Sequence, residues 1–255
     1  RGGARTAGAV LRPHRGTRAA PSPSTPAPPP GPPPHVQEHI AALKARLLAL
    51  GGLAEERLAA VAHALVERDT ATLDRVIAGD APINQLQMEI DGRAFQILAL
   101  QQPKATDLRT VVAAVKIATD LERVGDLAVN IAEAGRRYLQ HPPVKDLVDI
   151  PRMADLAQHM LRDALDAYVR HDAELAQRVL AADDTLDDLR SQVFRELLTC
   201  MLASPATIEP SLDLLLISRH LERTGDHATN VAEDVIFIVS ARDVRHHAGG
   251  PPPVR

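Results

Sequence analysis

Apolar residues along the chain recur at intervals of three and four, the period of an amphipathic helix. Ile40, Leu43, Leu47 and Leu50 open the pattern, which resumes at Leu58, Val61, Ala62 and Leu65. Asp69 is placed to cap a short helix carrying Leu73, Val76 and Ile77. Gly79-Asp80 then breaks the register, and Pro82 suits the first turn of a new helix. That helix shows Ile83, Leu86, Ile90, Phe95 and Leu98 on its apolar side before Pro103 stops it. A long helix is predicted from about Ala105 to Leu139, with Leu108, Val112, Val115, Ile117, Leu121, Val124 and Ile131 facing inward and His141-Pro142-Pro143 closing it. No segment alternates β-branched residues at period two, so the fold class is all-α.

The second half repeats the first. Asp69 to Asp80 matches Asp172 to Asp183 at an offset of 103, with Arg75 on Arg178 and Val76 on Val179. Pro103 matches Pro205 at 102, and Leu121-Glu-Arg-Val-Gly-Asp126 matches Leu221-Glu-Arg-Thr-Gly-Asp226 at 100. The last match continues through Asn130/Asn230, Ala132/Ala232 and Glu133/Glu233. Offsets that change only between motifs are what deletions at loops and helix ends leave in a duplicated domain. The expected architecture is two tandem antiparallel three-helix bundles, at 35–140 and 151–241, joined by a linker at 141–150. A leader at 1–34 holds ten of the twenty prolines and a tail spans 242–255, both read as disordered.

Charge narrows the functions open to such a body. The leader carries five arginines and no acid, so the remainder keeps 24 basic residues against all 33 acidic ones. An acidic body lacks the cations that displace phosphate counterions, and with no Trp and five other aromatic residues it lacks stacking platforms. Nucleic acid is therefore excluded as a partner. No run approaches the ~18 apolar residues of a membrane span. The single Cys200 permits no internal disulfide and reads as a small buried side chain, in keeping with a reducing, cytoplasmic setting.

The chemistry concentrates in a doubled acidic stripe. Glu122, Asp126, Asn130 and Glu133 are spaced four, four and three residues apart, which puts all four on one helix face. Glu222, Asp226, Asn230 and Glu233 repeat the arrangement. Carboxylates at i, i+4 repel by a few tenths of a kcal/mol. Gly125 and Gly225 cost roughly 1 kcal/mol each in mid-helix. Two unfavourable choices at matching places point to a bound cation, with glycine letting an ion or a neighbouring helix approach. Oxygen-only ligands suit hard cations such as Mg²⁺, Mn²⁺, Ca²⁺ or iron rather than zinc. Asp80 and Asn84 in the first half, and Asp183 and Asp187 in the second, would add ligands from the preceding helix. The plain alternative is a solvated acidic face relieved by Arg123 and Arg223.

Other groups offer less. His35 and His39 lack a third ligand, His227 projects about 100° from the stripe, and His246-His247 falls in the tail. The matching helices carry no Glu-x-x-His pair of the di-iron kind, and the chain has no Walker loop and no nucleophile elbow.

The doubled Leu-Glu-Arg-x-Gly-Asp with its following Asn-x-Ala-Glu resembles the PhoU family of phosphate-signalling regulators. So do Gly79-Asp80-x-x-Ile83-Asn84, Leu98-Ala-Leu-Gln-Gln-Pro103 and Asp107-Leu-Arg109. The likeness spans roughly residues 36 to 240, and the Pro- and Arg-rich leader lies outside its pattern. The resemblance implies two similar three-helix bundles and no enzyme activity. It implies multinuclear clusters of hard metal ions (iron, Mn or Mg) on Glu/Asp-x-x-x-Asp motifs, here Glu122/Asp126 and Glu222/Asp226. It further implies a cytoplasmic homodimer that restrains the phosphate-starvation response when phosphate is plentiful. Such a protein would work between a phosphate ABC transporter, through its ATPase subunit, and a phosphate-responsive sensor histidine kinase, meeting the membrane only through partners. Asn84 against Asp187 makes the two halves unequal. Two other classes stay open on the residues alone: a carboxylate-bridged metalloenzyme, and a metal-free helical scaffold or adaptor.

Overall fold

In a computed structural model of the chain, every segment with a three-to-four apolar period is an α-helix, and no strand occurs among the described residues. Those residues are Gly2, 34–79 and 81–241, with the side chains of Pro34 and His35 left aside. Asp80, the rest of the leader before Pro34, the tail from 242 and the side chain of His35 lie outside them. The helices are α1 (Pro34–Glu67), α2 (Thr70–Ala78), α3 (Ala81–Gln101), α4 (Thr106–Tyr138), α5 (Asp149–Arg170), α6 (Ala173–Ala203) and α7 (Ile208–Ser240), with a 3₁₀ turn at Pro205–Thr207. Helix α1 thus includes Pro34, the last residue of the expected leader, and α5 begins inside the expected linker. Leu139 lies just past the end of α4.

The duplication is visible in local stereochemistry. Arg68 and His171, 103 residues apart, both take the left-handed conformation, at φ 55° and 54°. Each is followed by an aspartate cap: the Asp69 carboxylate accepts from the Thr72 N–H, and that of Asp172 from Glu174 and Leu175. A short side-chain acceptor satisfies the orphan donors of the first turn, which lets the chain reverse after α1 and α5 and start again at once. The second layer differs between halves. Gly79 ends α2 and α3 starts afresh, whereas α6 runs unbroken through the matching Ala182.

The halves share one core. Helices α4 and α7 lie antiparallel: Arg109 donates to the Ile238 carbonyl, Lys116 pairs with Asp234 at 3.0 Å, and Arg137 with Asp213 at 2.8 Å. Helices α1 and α5 run antiparallel as well, linked by Arg162 and Glu55. A methyl on Gly51 would sit 2.3 Å from Leu165 Cδ1, so this glycine lets α5 close onto α1, which continues unbroken through Gly51-Gly52. Buried residues from both repeats, from Val36 to Ile238, form a single apolar cluster. α2 and α3 pack against α1 and α4, and α6 packs against α5 and α7.

Three positions expected in the core are exposed. Phe95 is 64% exposed, and Leu108 and Val112 are 41% exposed. They lie toward the turn joining α3 to α4. Ile208 and Leu212, which match Leu108 and Val112, are likewise exposed. Periodicity names the apolar face of a helix but not how far a neighbouring helix covers it. Cys200 is half-buried, not buried as expected.

Candidate functional site

Residues 121–132 and 221–232 show the same sequence of buried, half-buried and exposed positions. In both, Glu122 and Glu222 are half-buried while Asp126 and Asp226 are exposed. The glycines explain how this face is held. A Cβ on Gly125 would lie 2.7 Å from Ile83 Cδ1, and one on Gly225 would lie 2.4 Å from Leu186 Cδ2. Ile83 and Leu186 are 103 residues apart, so the close approach is duplicated with the sequence. Glycine therefore admits a neighbouring helix at this point, and the same approach brings α6 acids beside the α7 stripe. Asp183 Oδ1 would be 3.3 Å from that Gly225 Cβ.

Four carboxylates consequently face one another between α6 and α7: Asp183, Asp187, Glu222 and Asp226. Burial, and then the charges of Asp226 and Asp187 with smaller contributions from Asp184 and Glu222, raise the Asp183 pKa to about 6. Burial and then Asp226 push Glu222 upward, and burial and then Asp187 push Asp226 upward. Arg190 reaches Glu222 only at 4.0 Å and does not reverse that shift. The donor set is anionic, all oxygen and mutually repelling, which suits a hard cation. Among the described residues no three His, Cys, Asp or Glu side chains converge closely enough to hold an ion as they stand. The carboxylates feel one another's charge and are spread apart; an ion would have to draw them in.

A pH effect follows from Asp183. Its carboxyl binds a proton more tightly in the folded chain than in the unfolded one, so ionisation destabilises the fold above pH 6. That loss fades as pH falls through 6 toward the unfolded value of about 4. Asp183→Asn should therefore stabilise the metal-free protein by about 1 kcal/mol at neutral pH, after discounting for partial exposure, and by nothing near about pH 4. Urea titrations at the two pH values check this. Equal midpoints at neutral pH would remove the repulsion from the argument.

The other predicted residues fall as follows. Asn84 sits half-buried on α3, the helix that meets α4 at Gly125, and Asp80 lies outside the described residues. Asn130 and Glu133 are exposed on α4, and Glu233 is half-buried on α7. Asn230 turns toward the other half, and its amide donates to Asp120 Oδ1 at 3.3 Å. His227 projects away from the stripe as expected, and its Nδ1 meets the same Asp120 oxygen at 2.8 Å. This buried cross-repeat pair was not read from the sequence, because Asp120 and His227 do not match each other in the duplication. Arg57 was also missed. It leaves α1 to donate to the Gly79 carbonyl, and its Nη1 would be 3.7 Å from a Cβ on Gly125. The repeat alignment could have flagged it, since the matching residue is Met160.

A second feature lies farther along the α6–α7 pair. Phe194, Leu212, Leu215 and Leu216 floor a groove of about 690 Å³ rimmed by Arg190, Arg195 and Arg219. Phe194 is 52%, Leu212 50% and Leu216 40% exposed. No helix among the described residues is long and apolar enough to cross a membrane.

Comparison with known proteins agrees with the doubled architecture. The family model for the PhoU domain matches residues 47–135 and again 150–235. A protein of Caulobacter vibrioides named phosphate-specific transport system accessory protein PhoU homolog is 41% identical over 208 residues, covering 81% of this chain and 90% of the relative. The crystal structure of PhoU from Pseudomonas aeruginosa superposes with a TM-score of 0.77 at 35% identity, over 81% of this chain and 99% of the other. That of the phosphate transport system regulatory protein PhoU from Streptococcus pneumoniae gives 0.76 at 28% identity, over 82% and 99%.

Proposed function

This chain belongs to the PhoU family of accessory and regulatory proteins, which are not enzymes, and on that footing we propose that it regulates phosphate transport through protein contacts. Its partners in this reading are the ATPase subunit of a phosphate ABC transporter and a phosphate-responsive sensor histidine kinase. It acts in the cytoplasm as a homodimer and restrains the phosphate-starvation response when phosphate is plentiful. The observation that carries the reading is the family membership over both repeats. The groove on α6 and α7 supports it, because exposed aromatic and leucine side chains beside guanidinium groups are the composition of contact surfaces. Removing the gene should leave phosphate-starvation genes switched on in phosphate-rich medium. Normal repression in the deletion strain, with no second copy of the gene to compensate, would sink the assignment.

The same reading places a hard metal ion (iron, Mn or Mg) on the α6–α7 carboxylates Asp183, Asp187, Glu222 and Asp226. When bound, the ion would supply only positive charge, cancelling the repulsion that raises Asp183. The chain's own residues hold the scaffold: Gly225 admits Leu186 and thereby sets the spacing of α6 acids against α7 acids. Family membership weighs against the metalloenzyme alternative. A metal-free scaffold is separated from the proposal by metal analysis of protein purified without chelator.

A further inference from the structure

Beyond the acidic stripe, the outward face of α6 and α7 is apolar at helical spacing. Phe194, Leu198 and Leu202 follow at four-residue steps on α6, as do Ile208, Leu212 and Leu216 on α7. Such steps keep each trio on one helix face, and all six residues are between 40% and 81% exposed. The turn at Pro205–Thr207 folds α7 back along α6, and Phe194, Leu212 and Leu216 meet on the groove floor. From Arg190 to Leu202 the strip runs about 18 Å, the length of a three-turn helix. Its rim is cationic although the body is acidic. Arg190, Arg195 and Arg219 line the groove, and among the described residues no carboxylate does. Arg190 and Arg219 act weakly on Glu222 at one end, whereas Arg195 has no ion pair among the described residues. Duplication did not supply this rim. The first half has Gln87, Gly92 and Thr119 at the matching places, and Asp91 where the second half has Phe194.

We propose that this groove docks an acidic amphipathic helix of a partner protein, with its apolar stripe on the floor and its carboxylates on the three arginines. The proposal rests on the reading of the chain as a regulator acting through protein contacts, and it names the surface and the chemistry of the segment received. Two antiparallel helices with exposed residues at four-residue steps present ridges between which a third helix can lay its own apolar face. Guanidinium groups stay charged and offer paired donors to carboxylates, so the rim selects for acid beside the apolar stripe. Charge also excludes the chain's own ends. The leader carries five arginines and no acid, and the tail carries Arg242, Arg245 and Arg255 against Asp243. Both bring like charge to the rim.

Fluorescence anisotropy with the full chain tests this. The probe is a labelled synthetic helix of about 14 residues, with leucines along one face and glutamates flanking them. It should bind at least about tenfold more tightly than the same peptide with lysine for every glutamate, and the gap should close as salt rises. Arg195→Glu should narrow the gap, and Arg195→Glu with Arg219→Glu should invert it. Phe194→Ser should weaken both peptides by more than about tenfold, because an aromatic anchor on the floor serves either. These side chains are exposed, so melting midpoints of Phe194→Ser and Arg195→Glu should stay within about 2 °C of the parent. Equal binding of the two peptides, binding of neither, or undiminished binding by Phe194→Ser overturns the proposal. So does sedimentation in which the chain self-associates and Phe194→Ser separates it, since a second copy then fills the groove. The deletion strain tests the regulatory role independently. Starvation genes released there, beside a groove that takes no acidic helix, would end the docking assignment and leave the role standing.

Discussion

Replacing Asp120 with alanine should lower stability by about 3 kcal/mol, the cost of breaking a buried pair by removing one member. Asp120 is 8% and His227 7% exposed. One carboxylate oxygen takes both His227 Nδ1, at 2.8 Å, and the Asn230 amide, at 3.3 Å. Alanine leaves the buried His227 nitrogen unmet between α4 and α7, at a cost of about 1–3 kcal/mol, and leaves a cavity beside it, while the exposed Asn230 amide turns to water. Asp120→Asn keeps an acceptor oxygen at the same place and should lose about 1 kcal/mol. Urea denaturation should show the midpoint falling with an unchanged slope, since the exposed area of the unfolded chain is the same. In a thermal melt the alanine change should lower the midpoint by about 6–12 °C for a domain of this size. A shift under about 2 °C would mean that α4 and α7 hold together by apolar packing alone.

Gly225→Leu should cost about 2 kcal/mol, although glycine is the poorest helix former after proline. Replacing it gains about 1 kcal/mol of helix propensity. Against that, the first added carbon would already be 2.4 Å from Leu186 Cδ2 and 3.3 Å from Asp183 Oδ1. Leu186 is fully buried, so its side chain can move only against packed neighbours. Relief requires Leu186 to leave its rotamer or α6 to shift from α7, and overpacking of this kind costs about 1–3 kcal/mol, at the upper end for a long side chain. Gly52 provides the control of opposite sign. It too lies inside a helix, but a Cβ there meets nothing within 4 Å, so Gly52→Ala should stabilise by about 1 kcal/mol. Circular-dichroism melts of the two variants should move in opposite directions. A stabilised Gly225→Leu would show that α6 and α7 are not in the close contact described. Because Gly225 also spaces the acids, a shifted α6 should change cation affinity as well as stability.

Much of this architecture is legible in the chain before it folds. The 3.6-residue period depends only on which side chains prefer water, so helix type and the caps at Asp69 and Asp172 follow from composition and local hydrogen bonding. Duplication then predicts that what one half does the other repeats, and the paired contacts of Gly125 with Ile83 and Gly225 with Leu186 obey it. The acidic stripes are legible for the same reason, since i, i+4 spacing fixes a face by itself.

What depends on packing between helices is not legible in this way. Leu108, Val112 and Phe95 lie on apolar faces, yet only the extent of the neighbouring helices decides that these faces stay open. The antiparallel crossing of α4 and α7 joins Asp120 to His227 and Asn230, residues that no internal alignment pairs. Arg57 and Met160 are ordinary helix residues in sequence, and only the seating of α1 and α5 brings them beside Gly125 and Gly225. Local spacing determines which groups share a helix face; the difference between the two stripes arises from long-range contacts, because a charge acts on whatever the tertiary fold places within a few ångströms of it.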